Sequence, residues 1–257
     1  MDYGHLEIEI RGAVGWLRFN RPPVNAIDWD MLSELEEAFD VLSSHRDVRV
    51  LVLATALERY FSAGAELQSF RGASRERMQD WVATTHRLAL KVRSATIPVL
   101  AAIKGTAVGG GLEMALHADL RFADCCARLG QPEVNIAFIP PVAGTQALVR
   151  LVGRSNAFQI LYEGELVDAR TALSIGLVDF VCDEDQLEKD VQAYAERLVE
   201  KPANALAAIR RCLIDGGDMA FDDGLKVEMR QADALAEHPN FQLGIEAFLK
   251  KTKPSWK

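Results

Sequence analysis

The first half of the chain alternates between apolar stretches of strand length and longer stretches with helical periodicity. Residues 6–10 alternate apolar and acidic side chains, and residues 14–19 follow them after a turn at residues 11–12, which predicts two strands. Residues 48–55 and 97–103 are apolar runs, typical of strands that are covered on both faces. We therefore expect a sheet that is buried between layers.

Helical patterns separate these strands. Asp28 precedes apolar residues at helical spacing and is a suitable N-cap, since its carboxylate can accept a hydrogen bond from the first turn. The apolar residues of this predicted helix are Met31, Leu32, Leu35 and Phe39. A second helix is predicted over residues 75–93, and a third begins after the glycines at 109–111. Alternating strands and helices predict an α/β fold built of repeated crossover units.

The pattern changes beyond residue 140, where helices dominate. Helices are predicted over residues 142–152, 155–162, 169–174 and 185–199, with one short strand at 177–181. From about residue 200 onwards the pattern is helical throughout, with segments at 202–214, 221–237 and 241–251. We therefore divide the chain into an α/β core, residues 1–200, and a helical C-terminal region, residues 201–257.

Composition excludes several classes of function. With 29 basic and 37 acidic residues the net charge is -8, which argues against a nucleic-acid-binding protein. The four cysteines form no CxxC pair, and the five histidines show no metal-ligand spacing. The N-terminus lacks the pattern of a signal peptide, and no apolar run approaches the roughly 20 residues of a membrane span. We expect a cytoplasmic protein that contacts neither membrane nor nucleic acid.

Two loops rich in small residues follow the buried strands. Residues 109–111 are three consecutive glycines between a strand and a helix, and residues 61–65 read Phe-Ser-Ala-Gly-Ala. Either loop alone is better explained as a tight turn, since glycine is common in ordinary loops. Together they could direct two backbone N–H groups at one oxygen, the arrangement known as an oxyanion hole.

Several segments, in order along nearly the whole chain, resemble the signature segments of the enoyl-CoA hydratase (crotonase) family. They are NRP (20–22), NA (25–26), FSAGAEL (61–67), GTAVGGGLEMAL (105–116), GQPEV (130–134) and GIEAFLKKTKPSW (244–256). The resemblance implies an α/β, crotonase-like fold, a spiral of repeated β-β-α units followed by an all-helical trimerisation region. It also implies an acyl-CoA substrate, a homotrimer or a homohexamer made of two trimers, and a place in fatty acid β-oxidation.

The same resemblance assigns the substrate contacts. The backbone N–H groups of Ala65 and Gly110 would form the oxyanion hole. The coenzyme A moiety would lie along a segment in which the family often has aspartate and lysine where this chain has glutamate and glutamine. The implied contacts to coenzyme A are Ala65, Glu66, Leu67, Gln68 and, from the C-terminal helix, Phe248 and Lys251. The last two also suit a core phenylalanine and a solvated lysine.

Glu113 and Glu133 occupy the positions that carry the two catalytic glutamates of the family's hydratases. Addition of water requires a base that activates the water and an acid that protonates the α-carbon. We expect Glu113 to act as the base and Glu133 as the acid, although one water could connect both roles. Two carboxyl groups in a dry pocket repel each other as anions, so one should stay protonated near neutral pH. The reaction needs no metal and no cofactor, because coenzyme A is part of the substrate.

The resemblance leaves the reaction open in part. Retention of both glutamates favours hydration over double-bond isomerisation, which typically needs one. Pro141 stands where a general hydratase usually has glycine, at a loop beside the reacting carbons. It could adapt the site to an alicyclic or dienoyl thioester, or simply occupy the first turn of the following helix, where proline is tolerated. A catalytically silent acyl-CoA-binding member is the alternative outside enzymes.

Overall fold

A computed structural model describes residues 3–256, in which ten strands and nine α-helices can be assigned. The strands are β1 (Leu6–Arg11), β2 (Val14–Phe19), β3 (Val50–Thr55), β4 (Tyr60–Ser62), β5 (Val99–Ile103), β6 (Thr106–Val108), β7 (Leu120–Asp124), β8 (Arg128–Gly130), β9 (Val167–Asp168) and β10 (Phe180–Cys182). The helices are α1 (Trp29–Ser43), α2 (Arg75–Arg93), α3 (Gly110–Leu116), α4 (Gly144–Glu163), α5 (Ala169–Ser174), α6 (Leu187–Val199), α7 (Ala203–Ile214), α8 (Phe221–Ala236) and α9 (Pro239–Lys250).

The strands form two sheets, between which the chain alternates. The larger sheet has the order β1-β2-β3-β5-β7-β10, antiparallel between β1 and β2 and parallel elsewhere. The smaller sheet has the order β4-β6-β8-β9, with β4, β6 and β8 parallel. After β1 and β2, which both belong to the larger sheet, the passes β3-β4-α2, β5-β6-α3 and β7-β8-α4 each contribute one strand to each sheet. This is the predicted spiral of repeated β-β-α units followed by helices, and the predicted architecture is confirmed.

The larger sheet is buried on both faces. In β3, Leu51 and Leu53 belong to the main core, together with the apolar side of α1. Val50 and Val52 point to the opposite face, where α6 covers them. Because alternate residues of a strand face opposite sides, a strand covered twice must be apolar at every position. This explains the apolar runs from which the buried strands were predicted.

Helix boundaries agree well with the periodicity in the first half. Helix α2 spans the predicted residues 75–93, and the Asp28 carboxylate accepts the N–H of Met31 at 2.9 Å as the predicted cap of α1. The predicted helices at 142–152 and 155–162 are joined in α4, which is broken at Gly153 with φ of 75°. The predicted strand at 177–181 is wrong in its limits, since β10 is Phe180–Cys182.

The last three helices carry many exposed apolar side chains. Exposed residues include Leu213, Phe221, Leu225, Met229, Phe241, Phe248 and Leu249, and only Val227 is buried among the residues of α8. In a single chain, these helices therefore leave a substantial apolar surface in solvent. Within residues 3–256, no helix has both the length and the apolar character needed to cross a bilayer.

Candidate active site

The candidate site is a cavity of about 510 Å³ between the smaller sheet, α1 and α2. Its walls are largely apolar, formed in part by Leu35, Phe70, Trp81, Met114 and Val142. Trp81 is fixed by edge-to-face contacts with Phe70 and with Trp29, at centroid distances of 4.8 and 5.1 Å. The glycine loops and both glutamates that the sequence indicated also line this cavity.

The two glycine loops meet because β4 and β6 are parallel neighbours. The backbone of Ile27 holds the loop at residues 61–65 in place. Its N–H donates to Gly64 O at 2.7 Å, and its carbonyl oxygen accepts the N–H of Glu66 at 2.8 Å. Gly64 has φ of 83°, and a Cβ there would lie 2.9 Å from the carbonyl oxygen of Val108. Only glycine therefore lets the two loops approach this closely.

This approach places the backbone N–H groups of Ala65 and Gly110 at the same cavity wall. A Cβ added to Gly110 would lie 3.8 Å from the Ala65 nitrogen. Within residues 3–256 the Ala65 N–H donates to no acceptor, and Gly110 is the first residue of α3, where N–H groups have no intrahelical partner. Two such donors can accommodate one developing negative oxygen.

Glu113 is fully buried in the first turn of α3. Its Oε1 accepts the N–H of Val142 at 2.6 Å and the N–H of Gly144 at 2.9 Å. Its Oε2 is buried and has no partner among the described residues. A Cβ at Gly144 would overlap the carboxyl group, so glycine is required at that position. The carboxyl group is thus oriented through Oε1, and Oε2 remains available for proton transfer.

Glu133 lies in a short 3₁₀ helix, Pro132–Ile136, that follows β8. Its Oε1 is so close to the second glycine loop that a Cβ at Gly109 would lie 2.6 Å from it. Its Oε2 is buried, again with no partner in the described part of the chain. The structure therefore brings both glutamates and both glycine loops to one cavity, each glutamate with one unpaired oxygen.

The electrostatics of the two carboxyl groups are coupled. Burial raises the pKa of Glu133 from 4.5 to about 7. Burial and, secondarily, the charge of Glu133 raise the pKa of Glu113 well above 4.5, while the N–H groups of Gly144 and Val142 act in the opposite direction. Both shifts follow from removal of a carboxylate from water, and the pKa of about 7 allows Glu133 to hold or release a proton near neutral pH.

Only some of the residues predicted to contact coenzyme A line the cavity. Ala65 and Leu67 line the cavity, whereas Gln68 is exposed and does not. Glu66 is engaged within the protein, because its carboxylate caps the following 3₁₀ turn and lies 3.6 Å from Arg21.

The remaining predicted contacts lie apart from this segment. Phe248, 83% exposed, and Lys251 do not line the cavity of the single chain. Pro141 lines the cavity but precedes α4, whose N-cap is Ala143. The interpretation of Pro141 as a residue of the first helical turn is therefore wrong.

The hydrogen bonds that orient Glu113 were not predicted from the sequence. They come from the N–H groups of Val142 and Gly144, and backbone donors have no signature in composition or periodicity. Trp81 and Thr85 line the cavity from α2. The only available signal was the glycine at 144, at a position where a side chain would meet Glu113.

Comparisons with known proteins agree with this geometry. A family model described as enoyl-CoA hydratase/isomerase matches residues 9–257. A probable enoyl-CoA hydratase from Bacillus subtilis is 33% identical over 95% of each chain, and a crotonyl-CoA hydratase from Syntrophomonas wolfei is 30% identical over 100% of this chain and 99% of its own. The solved structure of an enoyl-CoA hydratase from Geobacillus kaustophilus superposes with a TM-score of 0.97 at 27% identity, covering 100% of this chain and 98% of the other. Because the family model covers nearly the whole chain, the chain belongs to the enoyl-CoA hydratase/isomerase family.

Proposed function

We propose that the protein is an enoyl-CoA hydratase, which adds water across the α,β double bond of an enoyl-CoA thioester to give a 3-hydroxyacyl-CoA. The observation that carries the proposal is the pair Glu113 and Glu133. Both side chains line one cavity with a free oxygen each, beside the N–H groups of Ala65 and Gly110. A double-bond isomerase typically needs only one carboxylate of such a pair, whereas hydration uses two.

In the proposed reaction the thioester carbonyl oxygen accepts hydrogen bonds from Ala65 and Gly110. These donors stabilise the enolate oxygen that forms when a nucleophile attacks the β-carbon. Each donor of this kind contributes roughly 3 kcal/mol to the transition state, because it is fixed in place and shielded from water. The polarised carbonyl is what makes the β-carbon electrophilic.

The glutamates supply the proton transfers. Glu113 Oε2 takes a proton from water as the water oxygen bonds to the β-carbon, and Glu133 gives a proton to the α-carbon as the enolate collapses. Glu113 is assigned as the base because the N–H groups of Val142 and Gly144 stabilise its carboxylate and oppose the effect of burial on its pKa. Glu133 is assigned as the acid because burial raises its pKa to about 7, and only its own backbone N–H acts in the opposite direction among the described residues. A proton passed from Glu113 to Glu133, directly or through solvent, restores the starting state.

The acyl group is proposed to be an uncharged hydrocarbon. No lysine or arginine lines the cavity among residues 3–256, and Thr85 and Asn135 are the main polar side chains besides the glutamates. The Thr85 hydroxyl already donates within its own helix, to Val82 O at 2.9 Å. A buried carboxylate on the acyl chain would therefore find no partner, at a cost of several kcal/mol.

The proposal is tested with a panel of enoyl-CoA thioesters. The panel contains short linear, branched, alicyclic and terminally carboxylated acyl groups, and the products are identified by mass spectrometry. We expect 3-hydroxyacyl products from at least one uncharged thioester and much weaker turnover of the carboxylated one. Glu163→Gln, at an exposed position of α4, controls for loss of one negative charge. Double-bond migration without addition of water would contradict the proposal.

A further inference from the structure

A histidine that belongs to neither glycine loop is connected to Glu113 through one peptide group. His117 ends α3, is 3% exposed, and its Nε2 lies 2.8 Å from the carbonyl oxygen of Val142. The N–H of the same Val142 donates to Glu113 Oε1 at 2.6 Å. The order of contacts is therefore His117, the backbone of Val142, and then the carboxyl group that faces the substrate.

The protonation state of His117 follows from its partner. A carbonyl oxygen can only accept, so the proton of the neutral ring is on Nε2, and Nδ1 carries a lone pair. Nδ1 is buried and has no partner in the described part of the chain. Burial, together with Arg93, His86 and Arg121, lowers the pKa of His117 to about 4. The imidazole is therefore neutral and remains a donor throughout the pH range in which an enzyme is assayed.

Val142 has few hydrogen bonds besides this contact to fix the orientation of its backbone. It precedes Ala143, whose φ of 58° is in the left-handed region that a residue with a side chain rarely adopts. The preceding Pro141 has no N–H of its own to anchor the segment. The described hydrogen bonds between residues 141–144 and the core are the His117 bond, the two bonds to Glu113 and a long contact from Thr85 to Pro141 O at 3.5 Å. The Val142 side chain packs in the main core, but this packing does not fix the direction of its N–H group.

The geometry points to His117 as a positioning residue for hydration: by holding the Val142 carbonyl it fixes the N–H that orients the Glu113 carboxyl group. His117 does not touch the substrate cavity, whose lining does not include it. The residue acts through Val142, and its loss should alter the base without altering substrate binding. This inference rests on the proposed hydratase function, because it assigns a role within that reaction.

The test compares His117→Met, which fills the space without a donor, with His117→Gln, whose amide N–H can reach the position of Nε2. We expect His117→Met to lower kcat roughly tenfold or more, the effect of one lost hydrogen bond to a charged network, with KM within about twofold of wild type. His117→Gln should recover most of this loss. His45→Met, at an exposed histidine that follows α1, serves as the matched control.

A pH profile distinguishes positioning from a purely structural role. The hydrogen bond from the Val142 N–H lowers the pKa of Glu113, and His117→Met should weaken this bond. The acid limb of kcat/KM should therefore move to higher pH in the variant. Glu133 is the titratable group that faces Glu113, and Arg93, His86 and Arg121 face His117. None of these is changed in the variant, so the shift reports the lost contact.

The same substitution in a Glu113→Gln background completes the experiment. Positioning predicts that His117→Met then lowers the residual kcat less than twofold, since the group it orients is already gone. Equal losses of kcat in both backgrounds, or an unmoved acid limb together with a lowered melting temperature, would overturn the inference. Absence of hydration by the wild-type protein would instead contradict the proposed function, so the two failures are distinguishable. If His117→Met does not fold, failure of His117→Gln to retain wild-type kcat and acid limb overturns it.

Discussion

The raised pKa of Glu133 makes the stability of this protein depend on pH in a way that one substitution should remove. In the folded state the carboxyl group titrates at about 7, against 4.5 for an unperturbed glutamate. Between these values the folded protein holds a proton that the unfolded chain has released. Stability contributed by this group is therefore present at low pH and lost as pH rises through about 7. Glutamine cannot titrate, so Glu133→Gln should not show this loss.

The magnitude follows from the shift. The difference between a pKa of about 7 and one of 4.5 corresponds to roughly 3 kcal/mol when the whole interval is crossed. Over the accessible range from pH 5 to pH 8, linkage for a single site gives a change of roughly 2.5 kcal/mol. The free energy of unfolding of Glu133→Gln, relative to wild type, should therefore increase by about this amount between pH 5 and pH 8. Glu133→Gln also removes a charge that raises the pKa of Glu113, and this changes the difference in unfolding free energy in the same direction.

The measurement is urea unfolding of the ligand-free protein at pH 5 and pH 8, at one protein concentration so that assembly contributes equally. Glu163→Gln is the control, because it removes the same charge from an exposed position. It should show no comparable pH-dependent change. A difference between Glu133→Gln and wild type that is the same at both pH values within about 0.5 kcal/mol would refute the reasoning, because this is a typical limit of additivity between independent effects. It would mean that Glu133 is solvated in the folded state.

Further predictions concern turnover, specificity and assembly. Glu113→Gln and Glu133→Gln should each reduce hydration by roughly two to four orders of magnitude while binding of the acyl-CoA product is retained, as measured by kcat and by calorimetry. In wild type, kcat/KM should fall as pH rises above about 7, where Glu133 loses its proton; an unchanged rate up to pH 9 would contradict its role as acid. Pro141→Gly restores an N–H at the cavity and should change the ratio of kcat/KM between alicyclic and short linear thioesters; an unchanged ratio would leave Pro141 without influence on specificity. Because the last helices expose large apolar side chains such as Phe248, light scattering should give a trimer or hexamer mass, and a monomer mass at micromolar concentration would contradict this.

Much of the core could be predicted because burial on both faces imposes a visible pattern. The apolar stretches at β3 and β5, the cap at Asp28 and the limits of α2 all follow from local periodicity. The three-residue strands β4 and β6 could not be predicted in this way. They are too short to show a period, and they exist because they pair with each other across the fold.

The chemistry of the site was only partly accessible from the sequence. The glutamates and glycines could be indicated by their segments, but their pKa shifts depend on burial, which is a property of the folded state. The same holds for the hydrogen bonds from Val142 and Gly144, since backbone groups are identical at every position. Gln68 and the C-terminal pair Phe248 and Lys251 lie outside the cavity of one chain, and their contacts with coenzyme A stay predictions.

The smaller sheet has a consequence for how such a site can diversify. Ala65, Gly110 and Glu133 each follow the end of one of three adjacent parallel strands, β4, β6 and β8. Neighbouring strands are held about 4.8 Å apart by backbone hydrogen bonds, whatever their side chains. The spacing between the proposed carbonyl-binding groups and the third strand is thus inherited with the backbone. Side chains at positions 113 and 133 can be exchanged, and the reaction altered, while the proposed contacts with the thioester are retained.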